Sequence, residues 1–309
     1  MHPDSIAPAV NASAAQRRQL PVGGEIFLDH VAHFVRDPDA AARALARAGF
    51  TPTPPSIQIN PDPGDGAPRP TGTGNITAML AEGYIEALFK SSDTALAAEL
   101  ESAIRRYCGL HLVAFAVPDA TAAHRRLASA GFRVRPLVHM ARPVATVSGT
   151  GRAAFTVARV EPAEMAEGRI QMLTHHTEQM VWQPRWLTHP NGALALQRVV
   201  IAVEDVQDAA KRYARFTGRK PSPLPSGCRL DLDRGRIDLV SRAGFERMLP
   251  EIAIPSLPFI GACEIRVASL PKLKESLDRG RLRRTAAHPD GVLAVFPEEL
   301  GLGAWLFRE

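Results

Sequence analysis

The stretch from Ile26 to Phe50, IFLDHVAHFVRDPDAAARALARAGF, decides the fold. It opens with a β-rich apolar run, turns at Arg36-Asp37-Pro38, and continues as alanine-rich helix to Gly49, a residue suited to the left-handed conformation in which helices end. The pattern is strand, tight turn, helix. It returns at Gly109 to Phe132, GLHLVAFAVPDATAAHRRLASAGF, where Asp119 matches Asp37 and Gly131-Phe132 matches Gly49-Phe50 without a gap. Two looser copies follow, ALQRVVIAVEDVQDAAKRYARFTG from Ala195 to Gly218 and IGACEIRVASLPKLKESL from Ile260 to Leu277. The chain is therefore built from about four similar units.

Outward from the first copy, residues 51–75 are dense in proline and glycine. Ile57-Gln58-Ile59 reads as a short strand and Pro61 to Gly74 as a loop. Strands over Asn75 to Leu80 and Tyr84 to Phe89, turning at Glu82-Gly83, complete a βαβββ unit. A helix over Leu96 to Tyr107 leads into the second copy, with strands expected near Arg133 to Val138, Ala153 to Val160 and Arg169 to Thr174. The third copy adds a hairpin, Gly227 to Asp233 and Arg236 to Ser241; the fourth adds Gly291 to Phe296 and Ala304 to Phe307, with His288-Pro289-Asp290-Gly291 read as a turn. The fold class is α+β. The units pair into a domain over 25–175 (units 25–92 and 109–175) and another over 195–309 (units 195–242 and 258–309), joined by 176–194 and preceded by an arm, 1–24. The second half is trimmed between helix and hairpin, which suits support better than catalysis.

Composition narrows the class. At 309 residues, 45% hydrophobic and 22% charged, the chain is long enough for two cores, and its apolar runs are too short for a membrane span. The first residues lack the apolar core of a secretory signal, so the expectation is a cytoplasmic protein with a mobile arm. Cys108, Cys228 and Cys263 are odd in number and widely spaced, which argues against a disulfide framework. The net charge of +5 comes from dispersed arginine, with aromatics at only 6%, so no nucleic-acid partner is expected and a small anionic substrate is the better use of the charge. A homodimer that pairs sheet edges is compatible with this architecture.

Four tandem units opening with LDHV at Leu28 to Val31, with GTGN at Gly72 to Asn75, YIEAL at Tyr84 to Leu88, and HxTxxxVWxP followed by HPNGA between His175 and Ala193, resemble the vicinal oxygen chelate superfamily, and within it the glyoxalase-like domain proteins. The resemblance covers nearly everything after Gly24. It implies two paired, cleft-enclosing open sheets, and a divalent metal (Zn, Mn, Ni, Co or Fe(II)) held by residues on the first and last strands of paired units.

Carried onto this sequence, the ligand positions fall on His30 and Glu86, both chemically suited to such ions. In the second unit the matching positions hold Leu112, not His111, and Gln171; His175, four residues on, lies on the face of Gln171 if the strand continues. The expected metal ligands are His30, Glu86 and one of Gln171 or His175, with His30 and Glu86 also as catalytic groups. A β-strand's period of two turns His33 to the opposite face from His30, turns Asp29 away from it, and brings His111 inward only through a bulge. In the second half the equivalents are Arg198, Asp238, Ala262 and Leu306, where arginine and aspartate read as a structural ion pair.

The implied function is that of a metal-dependent lyase, isomerase or dioxygenase acting on a small oxygenated, anionic substrate, with the metal stabilising an enolate or oxyanion. The loop from Asn60 to Asn75 would close over the substrate, with Asn75 as a polar contact, and His111, His176 and Trp182 would join the binding surface. The alternative is a metal-free protein of the bleomycin-resistance type that binds or sequesters a small molecule, in which Trp182, Trp186 and nearby histidines wall the pocket.

Overall fold

The computed structural model describes residues 18–60, 68–287 and 291–309, and each sequence copy forms a βαβββ unit. The first comprises β1 (Phe27–Val35), α1 (Pro38–Arg47), β2 (Ser56–Asn60), β3 (Arg69–Met79) and β4 (Tyr84–Lys90). After α2 (Ala95–Arg106), the second comprises β5 (Gly109–Ala116), α3 (Ala120–Ser129), β6 (Val138–Thr146), β7 (Gly149–Arg159) and β8 (Arg169–His175). A short α4 (Glu178–Val181) begins the connection to the third unit: β9 (Ala193–Val203), α5 (Val206–Thr217), β10 (Pro221–Leu224), β11 (Gly227–Asp231) and β12 (Arg236–Ser241). Then α6 (Arg242–Met248) precedes β13 (Phe259–Val267), α7 (Leu270–Arg279), β14 (Arg284–Ala287), β15 (Gly291–Val295) and β16 (Ala304–Arg308). Among the described residues no helix is long and apolar enough to cross a membrane.

The repeat is visible in the helix caps. Asp37 accepts from Ala40 N at 2.9 Å, Asp119 from Thr121 N at 2.7 Å and Asp205 from Gln207 N at 2.8 Å, while Ser269 serves the fourth helix. Each cap satisfies amide donors that a helix leaves open at its first turn. Gly49 and Gly131 close α1 and α3 at φ of 80° and 81°, the left-handed conformation their positions predict.

Within each unit the first and last strands are parallel neighbours, and their registers align the units with one another. Ala32 pairs with Glu86, Ala114 with Gln171, Val200 with Asp238 and Glu264 with Leu306. This register puts Leu112, Arg198 and Ala262 at the position of His30, as the sequence repeat predicts. In the first half β1 and β5 run antiparallel at the centre, and the far edges β2 and β6 meet at Ile59 and Ala141, so that sheet curls around an interior. In the second half β9 and β13 form the central pair. Main-chain pairing of Leu110 with Ile260 joins the halves into one continuous sheet.

Three strands, β3, β6 and β10, depart from the sequence expectation. Residues 69–74, read as loop, belong to β3, where Thr73 pairs with Lys90 and Thr71 and Thr73 share a hydroxyl contact of 2.8 Å. Residues 61–67 of that expected loop, residues 1–17 of the arm and the turn at 288–290 lie outside the described residues. The second unit's edge strand is β6, not 133–138; it carries Pro143, and β10, also unexpected, carries Pro221 and Pro223. Proline lacks a ladder donor, so Pro221 and Pro223 sit on β10 at the end of the sheet, and Pro143 sits in β6 beyond the single pairing of that strand with β2 at Ala141.

All nine residues of β1 are buried because both of its faces are covered. Ala32 and Phe34 face the interior of the first half, with Tyr84, Leu88, Leu112 and Leu173. Val31 and Val35 face a core shared with the second half, which includes Val199, Ile201, Trp305 and Phe307. The connecting segment is pinned by polar contacts: His189 takes Thr51 N on Nδ1 (3.0 Å) and donates from Nε2 to Met79 O (2.7 Å), and Asn191 donates to Ala48 O (2.9 Å).

Candidate functional site

His30 lies on β1 facing the interior of the first half, and Glu86 lies on the parallel neighbour β4. Their facing atoms, His30 Nε2 and Glu86 Oε2, are 3.7 Å apart. Tyr84 stacks on the imidazole at 4.3 Å between ring centroids, and Asn75 donates to Glu86 Oε1 at 2.6 Å. Both side chains are about 4% exposed, so their polar atoms depend on such partners. His33 faces the opposite way, as alternation predicts, with Nδ1 donating to Leu300 O (2.9 Å) and Phe296 against the ring.

Asp29 corrects the expectation that it faces away from His30. Its Oδ2 accepts from His30 Nδ1 at 2.7 Å, and its Oδ1 accepts from His175 Nε2 at 2.9 Å. The cause is a register shift between Leu28 and His30 in the β1–β5 ladder, which leaves Asp29 out of the pairing and lets consecutive side chains share a side. Burial would raise this carboxyl, but the charge of His175 and hydrogen bonds from His175 and His30 outweigh it and hold it well below the usual carboxylate range. A carboxylate only accepts, so both bonded ring nitrogens carry protons. In neutral His30 this leaves Nε2 with a free lone pair facing Glu86.

The space beside this pair is a cavity of about 30 Å³, room for a small oxygenated fragment rather than a whole metabolite. Besides His30, Asn75 and Glu86 it is lined by Arg142, Arg159 and Arg169. Arg142 extends into an adjoining cavity of about 200 Å³ bordered by Pro55 and Trp186. Arg159 and Arg169 border another, of about 350 Å³, that His111 and Arg106 also line. Burial pushes Arg159 down to about 9, with Arg169 adding to the effect, and burial also lowers Arg142 and Arg169. Arg159 donates to Gln171 Oε1 at 3.0 Å, and Arg169 lies 3.7 Å from Glu99. Among the described residues Arg142 has no carboxylate within ion-pair distance. The arginines were not singled out in the sequence; their signal is period two on β6, β7 and β8, the strands facing β3 and β4 across the interior.

Other expected site residues fall elsewhere. Gln171 lines the cavity at the Glu86-equivalent position but is engaged by Arg159. His175 is no cavity-lining ligand; it backs Asp29 and packs edge-on against Trp182 at 4.7 Å. Trp182 lies behind Tyr84 and His175 and does not wall the cavity. His176, the first residue after β8, is exposed, its Nε2 against Thr156 Oγ1 at 2.7 Å. At His111 the β1–β5 ladder skips a residue, yet its Nε2 donates to Tyr107 O (2.7 Å), stacks on that ring, and lines the 350 Å³ cavity instead. Residues Arg69 to Asn75 are fixed in β3 and do not form the expected closing loop.

The donor set for a divalent metal is incomplete. His30 and Glu86 converge, but Gln171 is turned to Arg159 and His175 to Asp29. Among the described residues no group of three or more His, Cys, Asp or Glu side chains is arranged to hold an ion. Three guanidiniums around the same gap oppose a further cation.

Comparison with known proteins accounts for this architecture. The family model described as "Glyoxalase-like domain" matches residues 28–217, more than half of the chain. Among solved structures the chain is similar to a hypothetical protein from Staphylococcus aureus (11% identity, TM-score 0.62, covering 92% of this chain and 99% of that one). It is also similar to a mutant 4-hydroxymandelate synthase from Streptomyces coelicolor (13%, 0.53, 92% and 93%) and to the Mn(II)-bound glyoxalase from Novosphingobium aromaticivorans (13%, 0.51, 92% and 82%). No match was found among curated protein sequences. At such identities the structural likenesses show a common fold of the vicinal oxygen chelate type, and the matched family model shows membership: this chain belongs to the glyoxalase-like domain family.

Proposed function

We propose that the chain is an enzyme that moves a proton on a small oxygenated anion bound in the arginine-lined interior of the first half. The observation that carries this reading is that His30 Nε2 and Glu86 Oε2, both buried, face each other across 3.7 Å, with His30 Nδ1 already tied to Asp29. An imidazole nitrogen and a carboxylate oxygen at that spacing can take a proton from an acidic C–H or O–H of a substrate. With Nδ1–H tied to Asp29, His30 presents Nε2 as the base, and the Asp29 carboxylate stabilises the imidazolium that forms. The His30 imidazolium, held opposite a Glu86 carboxylate that Asn75 steadies, then returns the same proton to a neighbouring atom in an isomerase or to the leaving group in a lyase. Arg142 faces the same cavity and would donate to the enolate or oxyanion as its charge develops.

A divalent metal between His30 and Glu86 is the second reading. Asp29 favours it, because a carboxylate holding the far ring nitrogen is the usual backing of a metal-bound imidazole. It requires Gln171 to leave Arg159 and serve as third donor. The sequestering protein is the remaining alternative, and it requires binding without proton exchange.

The test is proton exchange in D₂O, followed by NMR, at the carbon beside the carbonyl in a panel of 2-oxo and 2-hydroxy carboxylates, with elemental analysis of the same untagged protein. Exchange that is lost in His30→Ala and Glu86→Gln and persists in metal-free protein supports the first reading. Exchange that needs near-stoichiometric metal supports the second. Binding without exchange leaves sequestration.

A further inference from the structure

The second half contains a larger cavity, about 610 Å³, between β12, α6 and the β15–β16 hairpin, within the size range of ordinary ligand sites. It sits at the position matching the His30 cavity, because Arg198 and Asp238 occupy the His30 and Glu86 positions of the repeat. The sequence reads these two as a structural ion pair, but the structure places a larger and unbalanced cluster there. Asp238 accepts from Arg198 at 2.9 Å and from Arg229 at 2.8 and 3.0 Å. Glu264 accepts from Arg198 at 2.6 Å and Arg236 at 2.7 Å, with Arg308 at 3.5 Å. Four guanidiniums share two almost fully buried carboxylates, and Nε of both Arg198 and Arg236 is buried without an acceptor. At the rim, Arg247 bonds Ser226 Oγ at 2.7 Å, and Glu251 is the remaining acidic group of the lining.

The lining itself holds four arginines, Arg198, Arg229, Arg247 and Arg308, against two carboxylates, Asp238 and Glu251. A partly buried excess of positive charge is costly unless an anion offsets it. The other wall is apolar, formed by Leu224, Val240, Met248, Leu293 and Leu306.

We propose that this cavity is a second binding site, distinct from the His30 cavity, that takes an amphipathic anion: a carboxylate or phosphate head against Arg229, Arg247 and Arg308, and an apolar tail against Met248 and Leu293. Both carboxylates of the cluster, Asp238 and Glu264, are engaged by guanidiniums, so the proposed role is binding and not transformation of the ligand.

The test is isothermal titration of the full chain with octanoate, octyl phosphate and octanamide. One equivalent of an anionic probe should bind, with octanamide at least tenfold weaker, and the tighter of octanoate and octyl phosphate identifies the head group. The double variant Arg247→Gln/Arg308→Gln changes two exposed side chains, and should lose at least tenfold in affinity while keeping its melting temperature near that of the wild type. Leu293→Trp should fill the cavity and abolish binding, and His30→Ala should leave the affinity for the anionic probe unchanged. Equal binding of octanoate and octanamide, no binding of either anion, insensitivity to the arginine pair, or loss in His30→Ala would each overturn the proposal.

Discussion

Asp29 Oδ2 and His30 Nδ1, on consecutive residues of one strand, are 2.7 Å apart, an arrangement that a regular β-strand does not permit. The same carboxylate holds His175 through its other oxygen, so one buried anion fixes two imidazoles. Asp29→Asn replaces one acceptor oxygen with a donor, and one of the two rings must then change its tautomer or lose its bond. The expected result is a changed ¹⁵N shift pattern for His30 or His175 in long-range NMR spectra and a fall in proton-exchange rate of roughly 10- to 100-fold. Unchanged spectra and turnover would show that the contact does not orient the base.

Arg142 is buried in the cavity with no carboxylate at ion-pair distance among the described residues, and burial lowers its pKa. Arg142→Met should therefore raise the melting temperature of ligand-free protein by about 1–4 °C, the effect of roughly 1 kcal/mol in a chain of this size. The same variant should lose the added stability that small carboxylates give the wild type. Differential scanning calorimetry with and without 2-oxo carboxylates checks both effects, and a lowered melting temperature would mean that the arginine is structural.

Acid should destabilise the fold in a defined window. His33 and His111 are each pushed down to about 4, chiefly by burial, with their carbonyl partners Leu300 and Tyr107 opposing the shift. An unfolded histidine takes up its proton near pH 6.5, whereas these take it up only near pH 4. Their neutral forms thus support the fold fully above about pH 6.5, and stability falls as the pH drops toward 4, on the order of 3 kcal/mol for each residue. Urea unfolding across this range should show the slope, and His33→Phe should flatten it by one proton. Asp29 adds a further loss only below about pH 4.

Gly49 joins the first helix to the rest of the chain at a φ of 80°, and a Cβ there would lie 2.1 Å from Ser276 Oγ and 2.8 Å from Asn191 Cβ. Gly131, its counterpart in the repeat, has a φ of 81° and open space around it. Alanine at either position bears the strained backbone, on the order of 1 kcal/mol, and only Gly49→Ala adds the clash. Gly49→Ala should therefore destabilise by at least about 1 kcal/mol more than Gly131→Ala, as read from urea midpoints. Equal effects would show that the α7 contact yields freely.

The repeat made much of the fold legible, because caps such as Asp37 and Asp119, the glycines that follow their helices, and the period of two along each strand are local properties of the chain. The same periodicity put His30 and Glu86 in one interior and turned His33 away from it. Strands such as β6 and β10 were hidden because proline suppresses the local signal, and what makes proline tolerable there, the sheet end at β10 and the single-residue pairing of β6 with β2, belongs to the assembled sheet.

What the sequence by itself determined was four aligned units and the positions His30, Glu86, Gln171, Arg198 and Asp238 that correspond across them. Tertiary structure alone decided the rest. The bulge that swings Asp29 onto His30 arises from pairing with β5, and the gathering of Arg142, Arg159 and Arg169 arises when β6, β7 and β8 fold across from β3 and β4. The same holds for Glu264, which joins Arg198 only because β13 lies beside β9. Charges distant in sequence meet through long-range strand pairing, which no local pattern encodes.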